Sequence, residues 1–171
     1  MKQGQAKKAC PFLTGKFMLP SLPDRPGTYA LWLALPEPLQ LAVGRLGEFD
    51  FPPGGYLYLG SAFGPGGLAG RLRHHLAPLK RPHWHIDYLR SRARVTALGY
   101  CVSENVMECD WSQLAARHPG AGVPAPGFGA SDCRCGCAAH LYWFANPASF
   151  SLAAELITRS EVIWVDLAKI E

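Results

Sequence analysis

The stretch Thr28-Tyr29-Ala30-Leu31-Trp32-Leu33-Ala34-Leu35 is a continuous apolar run that ends at Pro36-Glu37-Pro38. A short apolar run bounded by proline is typical of a buried strand. Beyond it, Leu39, Leu41 and Val43 alternate with other residues, which predicts a second strand. A turn that ends in Pro52-Pro53-Gly54-Gly55 leads to a third predicted strand, Tyr56 to Ser61. These three strands are expected to form one antiparallel sheet.

Helical spacing follows the third strand and the flexible segment Gly64-Pro65-Gly66-Gly67. Leucines 68, 72, 76 and 79 recur every three or four residues, which predicts a helix that also carries basic residues. The other predicted elements are a short helix from His83 to Arg92, a strand from Val95 to Val102, a helix with Glu108 in its first turn, a loop from Pro119 to Asp132, a strand from His140 to Phe144, a helix around Leu152 to Thr158 and an apolar stretch from Val162 to Leu167. The fold class is therefore α/β (α+β), with a central three-stranded antiparallel sheet flanked by helices.

The chain length of 171 residues and the hydrophobic fraction of 49% fit one compact domain. Residues 1–20 are polar and aperiodic and are interpreted as a loose N-terminal leader, residues 21–146 as the domain, and residues 147–171 as a C-terminal extension of unknown role. The sequence has no uninterrupted apolar stretch long enough to span a membrane and no secretion signal. We therefore expect a cytoplasmic protein without a membrane partner.

Basic residues are concentrated between positions 71 and 94, although the formal net charge of +4 is too small to identify a partner. This segment holds seven arginines and lysines against the single acid Asp87, with four histidines among them. Such a surface is suited to phosphates, although it is also compatible with an ordinary solvated face. The residues expected to contact nucleic acid are Arg73, His74, His75, Lys80, Arg81, His83 and His85.

Two tripeptides, Gly27-Thr28-Tyr29 and Tyr58-Leu59-Gly60, resemble the paired signature of the GIY-YIG nuclease superfamily. Arg71 on the following helix and Glu108 on a later one match the order of that superfamily's arginine and metal-binding glutamate. In the absence of the resemblance, strand tyrosines are usually packing residues, and Gly27 and Gly60 serve backbone geometry.

The resemblance extends to a poorly characterised branch of the superfamily, whose stand-alone or fused domains are Uri-type endonuclease-like. Its motifs resemble Val43-Gly44-Arg45-Leu46-Gly47, His83-Trp84-His85-Ile86-Asp87-Tyr88-Leu89, Glu108-Cys109-Asp110-Trp111 and the segment Pro126 to Cys135, which contains Gly-Phe-Gly-Ala-Ser-Asp-Cys-Arg-Cys. The resemblance implies a sheet flanked by helices that hydrolyses phosphodiester bonds.

The resemblance also implies catalytic roles for four residues. Glu108 is expected to bind Mg²⁺ or Mn²⁺, which prefer oxygen ligands. Arg71 is expected to bind the phosphate that is cut, Tyr58 to act as the general base, and Tyr29 to assist it. Many relatives have an asparagine about a dozen residues after the glutamate, whereas this chain has His118-Pro119-Gly120. His74, His75 and Asp87 are candidates for part of that missing role.

A second metal is suggested by clustered thiols. Cys133, Cys135, Cys137 and His140, with Cys109 at a distance, offer the thiolate and imidazole ligands that suit a structural Zn²⁺ ion. The alternative is that these are buried free cysteines.

The function predicted from the sequence is a metal-dependent endonuclease acting on DNA. The alternative is a catalytically weak nucleic-acid-binding module that accompanies a DNA-repair protein. A purely structural zinc domain is a third interpretation, which leaves Tyr29, Tyr58, Arg71 and Glu108 unexplained.

Overall fold

The computed structural model describes residues 21–79, 81–146, 150–157 and 161–169. The predicted leader, residues 1–20, lies outside the described residues. The elements in chain order are β1 (Gly27–Leu35), β2 (Leu39–Val43), β3 (Gly47–Phe51), β4 (Gly54–Ala62), α1 (Gly67–Leu76), α2 (His85–Arg90), β5 (Arg94–Val102), α3 (Glu108–Ala116), β6 (Leu141–Phe144), α4 (Phe150–Leu156), β7 (Ile163–Asp166) and a 3₁₀ turn (Leu167–Lys169). None of the described helices is long and apolar enough to cross a membrane.

The main sheet has five strands in the order β6-β4-β1-β5-β7, and every neighbouring pair is antiparallel. The predicted sheet of three strands is therefore wrong in strand number and membership. Strand β2 pairs with β3 in a separate two-stranded sheet, which fits its alternation of half-buried and exposed residues. Strand β1 is apolar on both faces, so it takes the centre of the main sheet, where both of its edges and both of its faces are covered.

Side chains on alternate positions of β1 enter two different cores. Tyr29, Leu31 and Leu33 pack with the leucines of α1 and α2 on one face of the sheet. Ala30 and Trp32 pack with residues of α3 and α4 on the other. The two-residue period of a strand thus places Tyr29 in the core formed with the basic helix.

The first turn of α1 is bound to the chain that precedes β1. The backbone N–H groups of Leu68 and Ala69 donate to the carbonyl oxygens of Arg25 and Pro23, both at 2.9 Å. These bonds satisfy donors that a helix N-terminus would otherwise leave free. The helix ends at Leu76, earlier than the predicted Leu79.

Gly60 leaves room for the ring of Tyr29. The two residues are partners in the register of β1 and β4, and a Cβ built on Gly60 would overlap the Tyr29 ring and hydroxyl. We expect Gly60→Ala to lower the free energy of unfolding by about 1–3 kcal/mol, the usual cost of overpacking a core.

Denaturant unfolding of Gly60→Ala, with Gly64→Ala as the control variant, checks this expectation. A Cβ at Gly64 meets no atom of the described chain within 4 Å, so the control should change stability by less than about 0.5 kcal/mol. Equal small effects in the two variants would contradict the close packing of Gly60 on Tyr29.

Candidate functional site

Tyr29 of β1 and Tyr58 of β4 form a buried pair. Their ring centroids lie 6.3 Å apart, and their exposed fractions are 1% and 6%. Arg71 on α1 lies over the Trp84 ring, whose centroid is 5.6 Å from that of His75, a neighbour of both tyrosines. Glu108 on α3 contacts His140, which directly precedes Leu141, the strand partner of Tyr58. The structure therefore places the four predicted catalytic residues around one buried cluster.

The pKa values of both tyrosines lie above the ordinary value. Burial is the main cause for Tyr29, and Tyr58 and the charge of Glu108 raise the pKa further, while Arg71 opposes them. Burial also raises the pKa of Tyr58, with a contribution from Glu108 that Arg71 opposes. Both side chains are therefore neutral phenols at pH 7.

A hydrogen bond joins Tyr29 to His75 on α1, and Asp87 of α2 lies close to the other side of that imidazole. The Tyr29 hydroxyl and Nε2 of His75 are 2.7 Å apart, and Nδ1 of His75 lies 3.8 Å from Oδ1 of Asp87. His75 is 1% exposed, so it lies inside the protein beside Tyr29 rather than on the predicted phosphate-binding surface. If Nδ1 carries the imidazole proton, it faces the Asp87 carboxylate, and the Tyr29 hydroxyl donates to Nε2.

Asp87 is the centre of a buried charge cluster. Its carboxylate accepts hydrogen bonds from Nη1 of Arg90 at 3.0 Å and from the backbone N–H groups of His83 and Trp84 at 2.9 and 3.1 Å, and it lies 3.3 Å from Nε2 of His74. Burial alone would raise the pKa of Asp87, but the hydrogen bonds outweigh burial and lower it. Asp87 is therefore a buried carboxylate that stays ionised, and it forms an ion pair with Arg90.

Burial lowers the pKa of His75 to about 4, whereas a histidine in an unfolded chain titrates near pH 6.5. Between these values the unfolded chain binds a proton that the folded chain does not, so stability falls as the pH falls through this window. A shift of one pKa unit corresponds to about 1.4 kcal/mol. Protonation of His75 in the unfolded chain should therefore lower the free energy of unfolding by about 2 kcal/mol between about pH 6.5 and pH 5.

Denaturant unfolding at both pH values, with wild-type protein and His75→Gln, measures this contribution. Glutamine does not titrate and retains an amide that can hydrogen bond to Tyr29. The variant should lose less stability on acidification than the wild type. An equal loss in the two proteins would contradict the buried neutral imidazole.

Arg71 is held by an aromatic ring. Its guanidinium carbon lies 4.1 Å from the centroid of the Trp84 ring, a cation–π contact that fixes a long and otherwise mobile side chain. Arg71 is half-buried, and the Trp84 ring beneath it lies 5.6 Å from the ring of His75, the hydrogen-bond partner of Tyr29. Arg71 is thus oriented before any ligand arrives.

The other residues predicted to contact nucleic acid differ in their exposure to solvent. Arg73, Arg81 and His83 are exposed, and His74 is half-buried. Lys80 lies outside the described residues. His85 accepts a hydrogen bond from the Gly129 backbone N–H through Nδ1 at 3.0 Å, and burial lowers its pKa. His85 therefore anchors the loop that precedes β6.

Glu108 is the first residue of α3. The Thr28 hydroxyl on β1 accepts a hydrogen bond from the Met107 backbone N–H at 3.0 Å, which attaches the start of the helix to the central strand. The Glu108 carboxylate lies 2.8 Å from Nδ1 of His140. This contact links Glu108 to the segment that leads into β6.

A cluster of four possible metal ligands adjoins Glu108. One ligand atom from each of Cys109, Cys133, Cys137 and His140 lies within 4.8 Å of those of the others. We call this set the Cys/His cluster. It is of the kind that can bind a metal ion such as zinc. Cys135, part of the predicted set, is exposed and falls outside the cluster, and Cys109 takes its place because α3 brings it beside the loop.

Interactions within the Cys/His cluster shift its pKa values. Burial would raise the pKa of Cys133, but the backbone N–H groups of Cys137 and Cys135 and the side chains of Cys109 and His140 lower it to about 6. Burial would lower the pKa of His140, but the contact with Glu108 and the thiols of Cys137 and Cys133 raise it to about 9.

Two relationships were missed by sequence reasoning. They are the contact of Tyr29 with His75 and the contact of Glu108 with His140. The only signals in the sequence were the isolation of Asp87 among basic residues and the adjacency of Glu108 and Cys109. His118, in the stretch His118-Pro119-Gly120 where an asparagine was expected, packs on Phe144 with ring centroids 5.6 Å apart.

Together, the fold and the site define a mixed α+β domain with a buried tyrosine pair, an oriented arginine and a Cys/His cluster beside a glutamate. The chain belongs to the family described as Domain of unknown function DUF123, whose profile matches residues 28–162. The match covers all of the residues of this site. No curated protein and no solved structure matches the chain.

Proposed function

We propose that the protein is a metal-dependent endonuclease of the GIY-YIG superfamily that hydrolyses phosphodiester bonds in DNA. The observation that supports the proposal is that four separate elements place Tyr29, Tyr58, Arg71 and Glu108 around one buried cluster. The two tyrosine rings are 6.3 Å apart, Arg71 lies over Trp84 next to His75, and Glu108 contacts His140 beside the strand partner of Tyr58. Arg73 and Arg81 lie exposed on and after the same basic helix and supply contacts to neighbouring phosphates.

Glu108 is the proposed ligand of a Mg²⁺ or Mn²⁺ ion. Its side chain is 16% exposed, and contact of Oε1 with His140 leaves Oε2 to bind a cation. Sites for Mg²⁺ commonly use one or two carboxylates together with water and substrate phosphate, so a single glutamate fits. The ion, when bound, stabilises negative charge on the phosphate and lowers the pKa of a bound water.

Arg71 binds the phosphate that is cut. A guanidinium offers two parallel N–H groups to phosphate oxygens, and the contact with Trp84 holds it in place beforehand. Because charge on the phosphoryl oxygens grows as water attacks, this interaction strengthens in the transition state.

The proton of the attacking water leaves through the tyrosines. Since neither phenol is ionised at pH 7, a tyrosine accepts a proton only as it passes its own to a neighbour. Tyr29 and Tyr58 lie next to each other, with ring centroids 6.3 Å apart, and Tyr29 passes a proton to Nε2 of His75, 2.7 Å from its hydroxyl. Asp87 stabilises the resulting imidazolium. The water oxygen bonds to phosphorus, the bond to the leaving oxygen breaks, and solvent protonates that oxygen.

Cleavage of a mixed panel of labelled substrates tests this function. Supercoiled plasmid, branched DNA and RNA are incubated with wild-type protein and either Mg²⁺, Mn²⁺ or a chelator of divalent ions. The proposal requires cleavage of at least one DNA that depends on the added metal. Cleavage of RNA alone, or cleavage that the chelator does not inhibit, would contradict it.

A second candidate is a nucleic-acid-binding module that accompanies a DNA-repair protein. It is favoured by the absence of the expected asparagine from the stretch His118-Pro119-Gly120, in which the His118 ring packs on Phe144. Binding without cleavage, with affinity that falls steeply as salt rises, would support this module. Undetectable or salt-independent binding would exclude it.

A further inference from the structure

We propose that Cys109, Cys133, Cys137 and His140 bind one Zn²⁺ ion, and that the ion holds Glu108 in place through His140. The zinc site stands independently of the proposed nuclease activity. The positioning of Glu108 rests on the proposed function, because it concerns the ligand of the Mg²⁺ or Mn²⁺ ion.

The Cys/His cluster already has the spacing of a zinc site. The Sγ atoms of Cys109 and Cys133 are 3.6 Å apart, and all four candidate ligand atoms lie within 4.8 Å of one another. Thiolates about 2.3 Å from zinc in a tetrahedral site lie about 3.8 Å apart. Three thiolates and one imidazole form a common closed ligand set for structural zinc, which leaves no position for substrate.

His140 supplies an independent observation. Its side chain is 4% exposed, and Nε2 has no hydrogen-bond partner among the residues that the structure describes. Nδ1 lies 2.8 Å from Oε1 of Glu108, an ion-pair contact whose angles are not those of a hydrogen bond. A buried polar atom without a partner costs about 1–3 kcal/mol. A metal ion bound to one nitrogen removes this cost and fixes a proton on the other.

The loop from Pro126 to His140 is fastened to the sheet in a way that presents these ligands. The Gly127 N–H donates to the Ala138 carbonyl at 2.7 Å, and the His140 N–H donates to the Phe128 carbonyl at 2.8 Å. The Leu59 N–H of β4 donates to the His140 carbonyl at 2.9 Å. A zinc ion here would cross-link this loop to the first turn of α3, which carries both Cys109 and Glu108.

The contact of His140 with Glu108 gives the ion a second role. Histidines that bind zinc usually direct their other nitrogen at a carboxylate or carbonyl oxygen, and these partners hold each other in orientation. Here the carboxylate is Glu108, 2.8 Å from Nδ1 of His140. Zinc thus rigidifies the residue that binds the second metal.

Zinc content tests the site directly. Elemental analysis of wild-type protein, purified without added metal, is expected to give about one zinc per chain. Cys109→Ser is expected to lose most of this zinc, whereas Cys135→Ser, which alters the exposed cysteine outside the cluster, is expected to retain it. A folded wild-type protein without zinc, or zinc lost from Cys135→Ser but not from Cys109→Ser, would overturn the ligand assignment.

His140→Cys separates the two roles of the ion. Cysteine replaces one zinc ligand by another but removes the contact with Glu108. Zinc content is expected to stay at about one per chain, while the affinity for Mn²⁺, measured by electron paramagnetic resonance, falls about 10–100-fold.

Three further outcomes separate the claims. Unchanged Mn²⁺ affinity in a zinc-loaded His140→Cys protein would overturn the positioning role. Unchanged Mn²⁺ affinity in a His140→Cys protein that has lost its zinc would overturn it as well, since neither the ion nor the contact would then influence Glu108. Full zinc in a wild-type protein that binds no Mn²⁺ would overturn the proposed catalytic metal and leave the zinc site standing.

Discussion

Arg71→Ala is expected to lower the rate of DNA nicking by about 10²–10³-fold while the protein remains folded. Removal of one preorganised group that stabilises transition-state charge typically costs this much. The side chain stacks on Trp84 at 4.1 Å, so its loss also removes a contact of about 0.5–1 kcal/mol. Single-turnover nicking assays, with circular dichroism to confirm folding, measure the effect.

Arg73→Ala is the matched control for Arg71→Ala. Arg73 lies on the same helix but is exposed, so it is expected to contact phosphate without acting at the bond that is cut. Its removal should weaken DNA binding and reduce the salt dependence of binding by about one ion. If the two variants lose equal nicking activity at saturating protein, Arg71 has no special role in the transition state.

Asp87→Ala is expected to lower the free energy of unfolding by about 3–5 kcal/mol, the usual cost of removing one partner of a buried ion pair. The Arg90 side chain is 6% exposed and lies 3.0 Å from Asp87. Without the carboxylate, a buried guanidinium loses its counterion and His75 loses the nearest negative charge. Urea unfolding measures the loss.

Asp50→Ala controls for the removal of an acidic charge. Asp50 is exposed on β3, and its replacement should change stability by less than about 0.5 kcal/mol. A loss from Asp87→Ala no larger than that from Asp50→Ala would contradict the view that the charge cluster supports the helices behind Tyr29.

The strands that the sequence predicts best are those with long apolar runs. The segments predicted at 28–35, 56–61, 95–102 and 140–144 correspond to β1, β4, β5 and β6. Strand pairing was not predictable, because sequence adjacency favoured a hairpin between 28–35 and 39–43. The true neighbours of β1 are β4 and β5. Both edges of β1 are covered only once the distant strand β5 has joined the sheet, and a local sequence pattern does not predict this.

In the candidate site, too, individual residues could be predicted from the sequence but their contacts could not. Tyr29, Tyr58, Arg71 and Glu108 could be named as candidates from the sequence because a family resemblance supplies their order along the chain. The partners of these residues were not identifiable, because they depend on contacts between distant elements. Tyr29 and His75 are 46 positions apart, and Cys109 and Cys133 are 24 apart. No short spacing rule connects such pairs.

The most direct test of the central claim compares wild-type protein with Glu108→Gln in nicking supercoiled plasmid with Mn²⁺. Glutamine preserves the size of the side chain but removes the charge that binds the cation. The account predicts metal-dependent nicking by the wild type and a loss of at least about 10²-fold in the variant. Equal nicking by the two proteins, purified side by side, would contradict the account.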